Sequence, residues 1–181
     1  GHGLTSTNVA SPEPGGSFGM SWSWSKTEGN AQGIVHTIAG PREDMSMNIG
    51  LKGYVDGFDS VARFNSPGDL VMDDNKVLFV SDTGNHCIRK VEISMGSTFR
   101  LSGTFQKGTV STYAGTCGDT PDKRGKVNGP FLQAKFDHPI GITFYREPST
   151  NKHILFVCDS GNHRIRKLVD GQVSTLSGQK G

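Results

Sequence analysis

Short apolar runs broken by Gly, Asp, Asn and Ser set the rhythm of this chain, and no long helical periodicity appears. Leu78-Phe79-Val80 is one such run, β-branched and aromatic in character. Asp82-Thr83-Gly84-Asn85 follows with turn chemistry, since Asp bonds its own backbone two residues on and Gly and Asn accept positive φ. Ile88 to Val91 then resumes strand-type residues, so the stretch predicts two strands joined by a tight polar turn. The pattern returns as Leu155-Phe156-Val157-Cys158-Asp159-Ser160-Gly161-Asn162-His163-Arg164-Ile165-Arg166-Lys167-Leu168. A repeat of this length speaks of architecture before chemistry.

The duplication extends on both sides. Phe64-Asn65-Ser66-Pro67 corresponds to Phe136-Asp137-His138-Pro139, and Asp56-Gly57 to Asn128-Gly129, each 72 residues apart (67 to 139, 57 to 129). Val110-Ser111-Thr112-Tyr113-Ala114-Gly115 corresponds to Val173-Ser174-Thr175-Leu176-Ser177-Gly178, and a third copy of that element lies at Val35-His36-Thr37-Ile38-Ala39-Gly40. Each unit predicts four strands: 70–72, 77–81, 87–93 and 109–114, then 140–144, 154–158, 164–169 and 172–176. Four-stranded sheets repeated at this spacing are the blades of a β-propeller.

These blocks resemble the NHL repeat family, over roughly Gly33 to Gly178. Cys87 stands where the family usually has Arg, Asn128 where it has Asp, and Ser177 where it has Ala. The resemblance implies an all-β propeller segment with more blades in the ring than this chain holds. The expected layout is a Gly/Ser/Pro-rich arm at 1–17, an N-terminal hairpin of an incomplete blade at 18–40, and a connector at 41–66. A blade at 67–115, a second connector at 116–138 and a second blade at 139–178 follow.

The N-terminal hairpin carries Phe18, Met20, Trp22 and Trp24 in alternation with Gly and Ser, a strand with one heavily apolar face. Burying each such side chain contributes roughly 1.5–3 kcal/mol, so the row is expected to be covered and is the candidate assembly interface. Two blades and part of a third leave sheet faces open unless other chains or further sequence complete them. The implied partner is protein, either copies of this chain or the remainder of a larger propeller. The alternative is a piece of a larger NHL propeller that binds RNA or holds enzymatic activity on blades absent here.

Charge alters this picture little. The 19 basic and 17 acidic residues give a formal net charge of +2, which announces neither a nucleic-acid nor a membrane-surface partner. Arg63, Lys123, Arg124, Lys126 and Lys135 are the candidate basic residues of a ligand face, but acidic neighbours and the lack of interleaved aromatics make nucleic acid the less favoured partner. No apolar run approaches the ~20 residues that span a bilayer. Nothing in the sequence decides a compartment.

Candidate chemistry is sparse. Asp82, Gly84, Asn85, His86 and Arg89, with Asp159, Gly161, Asn162, His163 and Arg166, form the repeated motif. A catalytic group is normally unique, so a duplicated histidine reads as structural, packing and hydrogen-bonding within its hairpin. Arg89 calls for a carboxylate, Asp82 or Asp56, and reads as a tie between blades. His36, His138 and His153 show no metal-ligand spacing, no phosphate loop or nucleophile elbow appears, and no C-x-x-C pair is present. The chain is therefore read as non-enzymatic, without metal or cofactor. Asp73-Asp74-Asn75 reads as a turn, and a cation site there is weak. The three cysteines allow at most one internal disulfide. Cys87 and Cys158 stand in neighbouring strands of successive blades, though separate buried hydrophobes are the plainer expectation.

Overall fold

The computed structural model describes residues 37–41, 52–95 and 106–178. Two antiparallel five-stranded sheets fill it. The first is built from β1 (Gly57–Phe58), β2 (Pro67–Met72), β3 (Val77–Asp82), β4 (Cys87–Met95) and β5 (Gln106–Ala114). The second is built from β6 (Gly129–Pro130), β7 (Pro139–Arg146), β8 (His153–Asp159), β9 (Arg164–Val169) and β10 (Gln172–Gly178). Their strand orders, β1-β5-β4-β3-β2 and β6-β10-β9-β8-β7, are the same. The four long strands of each sheet meander, as the repeat predicts. The two-residue outer strand is the addition: each connector lays Gly-Phe or Gly-Pro against the last strand of the blade it leads into.

The centre of the first sheet is packed on both faces. Along β3, Leu78 and Val80 join Ala62, Val91 and Val110 in one apolar cluster. Phe79 points the other way, into a cluster with Ile88 and Ala114 that draws Phe136, Leu155 and Val157 from the second blade. Alternation along a strand thus becomes two buried sides, because another layer lies against each. The seam between blades is closed by aromatic contacts, with Tyr113 edge-on to Phe79 at 4.7 Å between ring centres and tilted against Phe131 at 4.8 Å.

The short segment 37–41 repeats the geometry of the first blade's end. The Gly40 N–H donates to Asp59 O at 3.0 Å, and the Gly115 N–H donates to Phe131 O at 2.9 Å, one repeat later. Ala39-Gly40 therefore meets the first blade as Ala114-Gly115 meets the second. Phe18, Met20, Trp22 and Trp24, and most of the 18–40 hairpin, lie outside the described residues.

The motif turn differs from expectation in its mechanics. Thr83–Asn85 and Ser160–Asn162 are single 3-10 turns, and the left-handed residue is the histidine that follows, with φ 56° at His86 and 53° at His163. Gly84 and Gly161 are required by proximity instead. A Cβ on Gly84 would come within 2.6 Å of the Asn65 side chain, and one on Gly161 within 2.7 Å of Asp137. In both copies this glycine's N–H donates to the carbonyl of that same connector residue. In the connector, a 3-10 turn over Asp59–Val61 precedes Phe64.

Candidate functional site

The repeated polar residues converge on one construction in each blade. Arg89 is fully buried. Its Nη1 donates to Asp82 Oδ2 at 2.9 Å and to Arg63 O at 2.9 Å. Its Nη2 donates to Val55 O at 3.0 Å and to Asp56 Oδ1 at 2.7 Å. Asp82 also accepts from the Asn65 N–H and from Asn85 Nδ2, each at 2.8 Å, and Asn85 reaches Gly53 O at 2.6 Å. The Phe64 ring stacks on the guanidinium at 5.2 Å. Burial, the largest influence on Asp82, pushes its carboxyl above the usual 3.8, while Asn85, Asn65 and Arg89 pull it down.

The second copy repeats every joint. Arg166 donates to Asp159 Oδ2 at 2.6 Å, Lys135 O at 3.0 Å, Val127 O at 2.8 Å and Asn128 Oδ1 at 2.8 Å. Asn162 bridges Asp159 and Gly125 O, the Asp137 N–H donates to Asp159, and Phe136 stacks on Arg166 at 5.1 Å. Asn128, where the family has Asp, still presents an acceptor oxygen. The tie therefore runs from a hairpin to the connector that leads into it, rather than directly between two blades. This polar group lies within the fold and presents no free clamp to a substrate.

A second set of bonds crosses the seam. Thr83 Oγ1 donates to Pro139 O at 2.6 Å, and the Ile142 N–H donates to Asp69 Oδ2 at 3.0 Å. The His138 N–H donates to His86 Nδ1 at 3.1 Å, and the two imidazoles meet edge to face at 4.5 Å. The His86 imidazole thus bonds to the next blade's connector, while its backbone N–H donates to Thr83 O within the hairpin. Desolvation above all, and then the His138 charge, hold its imidazole below 6.5. Asp137 Oδ1 completes a cluster, 2.7 Å from His138 Nδ1 and 3.4 Å from His86 Nδ1. Sequence spacing kept these residues apart; the signal was Asp137-His138 standing where the first copy has Asn65-Ser66.

Among the described residues the second blade's own far face has no such cover. His86 is 4% exposed and Ser81 and Ile88 are sealed, whereas His163 and Cys158 in the matching slots are exposed and Ile165 is half-buried. Leu176, in the slot of Tyr113, is 57% exposed.

The candidate basic residues do not form one free patch. Arg63 turns onto the carbonyls of Ser60, Val61 and Ala62, Lys123 pairs with Asp122, and Lys135 Nζ donates to Asp122 O. Arg124 and Lys126 are exposed. The cysteine expectation is corrected: Cys87 bonds Cys117, with Cα atoms 5.1 Å apart, and Cys158 is the exposed free thiol. Cys158 sits in the Ser81 slot, on the face turned away from the first blade, so it cannot reach Cys87. Among the described residues no helix is long and apolar enough to cross a membrane.

Comparison with known proteins follows the same lines. Residues 64–91, from the stacking Phe64 through the Asp82–Arg89 tie to Val91, match the NHL repeat family. This stretch is an NHL repeat. The second copy of the same construction follows it in the chain. The sequence is similar to NHL repeat-containing protein 2 of Gallus gallus, 28% identical over 145 residues, covering 80% of this chain and 17% of that protein. It is also similar to NHL repeat-containing protein 2 of Homo sapiens, 30% identical over 123 residues, covering 65% of this chain and 15% of that protein. The chain thus spans less than a fifth of the relatives it matches. A Bacteroides thetaiotaomicron protein provisionally described as a phosphatase superposes with a TM-score of 0.50 at 21% identity, over 80% of this chain and 27% of that one. That likeness bears on the propeller-type fold alone. NHL repeats generally serve protein interaction.

Proposed function

We propose that this chain is a non-catalytic interaction segment, a two-blade NHL wedge whose open face is completed by a further blade of the same kind. That blade comes either from the rest of a longer propeller or from another copy of the chain. The observation that carries the reading is the contrast between equivalent slots. The face that buries His86 and Ser81 on the first blade leaves their counterparts His163 and Cys158 in water on the second, and Ile165 is half-buried where Ile88 is sealed. The polar residues most suggestive of chemistry are engaged in fastening connectors to hairpins, which supports a scaffold over an active site. A surface of this kind marks an interaction site when it is contiguous and apolar.

Light scattering on the 181-residue chain, with a hydrophobic dye as reporter, tests this. Self-association, or dye binding that vanishes in a longer chain carrying the following blade, is expected. A monodisperse monomer that binds no dye at either length refutes it.

A further inference from the structure

The seam between the blades carries one cluster that the repeat does not require. We propose that His86, Asp137 and His138 form a binding site for a divalent transition-metal ion of the zinc type. Each offers one ligand atom, and the three atoms lie within 4.8 Å of one another. The separation of 3.4 Å between His86 Nδ1 and Asp137 Oδ1 is close to the roughly 3.3 Å edge of a tetrahedron with metal–ligand bonds near 2.0–2.1 Å. Two imidazoles and one carboxylate suit zinc, and are a poor set for calcium or magnesium, which prefer oxygen.

The local hydrogen bonding points the same way. His86 Nδ1 accepts from the His138 N–H, so its lone pair faces inward. Asp137 Oδ1, a second acceptor, sits against it with no proton between them. An ionised Asp137 only accepts, so its 2.7 Å contact with His138 Nδ1 calls for the proton on that nitrogen. A metal ion replaces that proton and gives both acceptors a shared cation. The cost is the His138 amide bond to His86 and an opening of the His138–Asp137 contact by about 0.6 Å to reach tetrahedral spacing. His138, half-exposed, is free to make that movement, and its solvent side leaves the fourth position to water. Asp119 and Arg124 also act on His86, one of each sign.

The set belongs to this seam alone among the described copies. One repeat earlier the connector offers Asn65-Ser66, and His163 faces an exposed surface without an Asp-His partner. The ligands come from two blades, His86 from the first hairpin and Asp137-His138 from the connector into the second. A bound ion therefore pins the seam, whether or not the far face is filled.

The test is titration of the full chain with zinc by calorimetry, and with cobalt(II) by visible absorption, in a Cys158→Ser background that removes the exposed thiol. One equivalent is expected to bind, with the ligand-field bands of a four-coordinate cobalt site. Asp137→Asn and His138→Gln, with native circular dichroism, should each weaken binding at least tenfold, and His163→Asn should leave it unchanged. Absence of one-equivalent binding overturns the proposal, as does binding that both Asp137→Asn and His138→Gln retain at full strength.

Discussion

Replacing Arg89 by Met isolates the tie on which each blade depends. The substitution keeps much of the aliphatic stem but removes four hydrogen bonds, two of them to carboxylates. Asp82, fully buried, keeps only the Asn65 N–H and Asn85 Nδ2 as partners. Removing one member of a buried ion pair generally costs 3–5 kcal/mol, because the other charge is left without compensation. The two remaining donors place the expected loss near the lower end, about 3 kcal/mol. With a urea slope of about 2 kcal/mol/M, the unfolding midpoint should fall by roughly 1.5 M. The paired substitution Asp82→Asn with Arg89→Met should recover part of that loss, since no buried charge is then stranded at Asp82. Equilibrium urea unfolding followed by circular dichroism reads all three proteins. A loss below about 1 kcal/mol for Arg89→Met, or a double variant worse than the single, would refute the assignment of the tie as a charge-compensated fastener.

Gly84→Ala should destabilise by about 1–3 kcal/mol through the approach of its Cβ to Asn65, and an added Asn65→Ala should restore part of it in the same urea assay. Opening the Cys87–Cys117 bridge, which links positions 30 apart, should cost about 3–4 kcal/mol by loop entropy, read as a lower midpoint under reductant or in the Cys87→Ser, Cys117→Ser protein. On the open face, Leu176→Lys should change stability by no more than about 0.5 kcal/mol while reducing self-association and dye binding; unchanged association would place the contact elsewhere.

The sheets were legible in the sequence because the hairpin appears twice with its turn, its Arg and its flanking apolar runs intact. The strand order follows from that meander. Three features were not legible, each for a physical reason. The outer strands β1 and β6 are two residues long, too short to carry any alternation. Gly84 looked like a turn glycine, yet its role is the closeness of Asn65, which only the tertiary contact reveals. Cys117 lies in the connector outside the repeated blocks, so no spacing argument paired it with Cys87. The seam cluster falls between these cases. His86 was visible as a repeated residue, but its partner His138 was one of several scattered histidines until the fold set connector against hairpin.

The two-residue outer strands also bear on how such chains lengthen. Each rim is shut by chain that arrives before its blade, at Gly57–Phe58 and Gly129–Pro130, and not by chain that leaves it. A duplication or graft that begins near Gly53 or Gly125 would therefore carry a blade together with its own rim closure and its Arg fastener. One that begins at Pro67 or Pro139 would transplant a sheet with a bare margin and a guanidinium that keeps its own Asp but loses its connector partners. The practical module is offset from the visible sheet, and chimeras cut at the connector's start should fold where those cut at the first long strand should not.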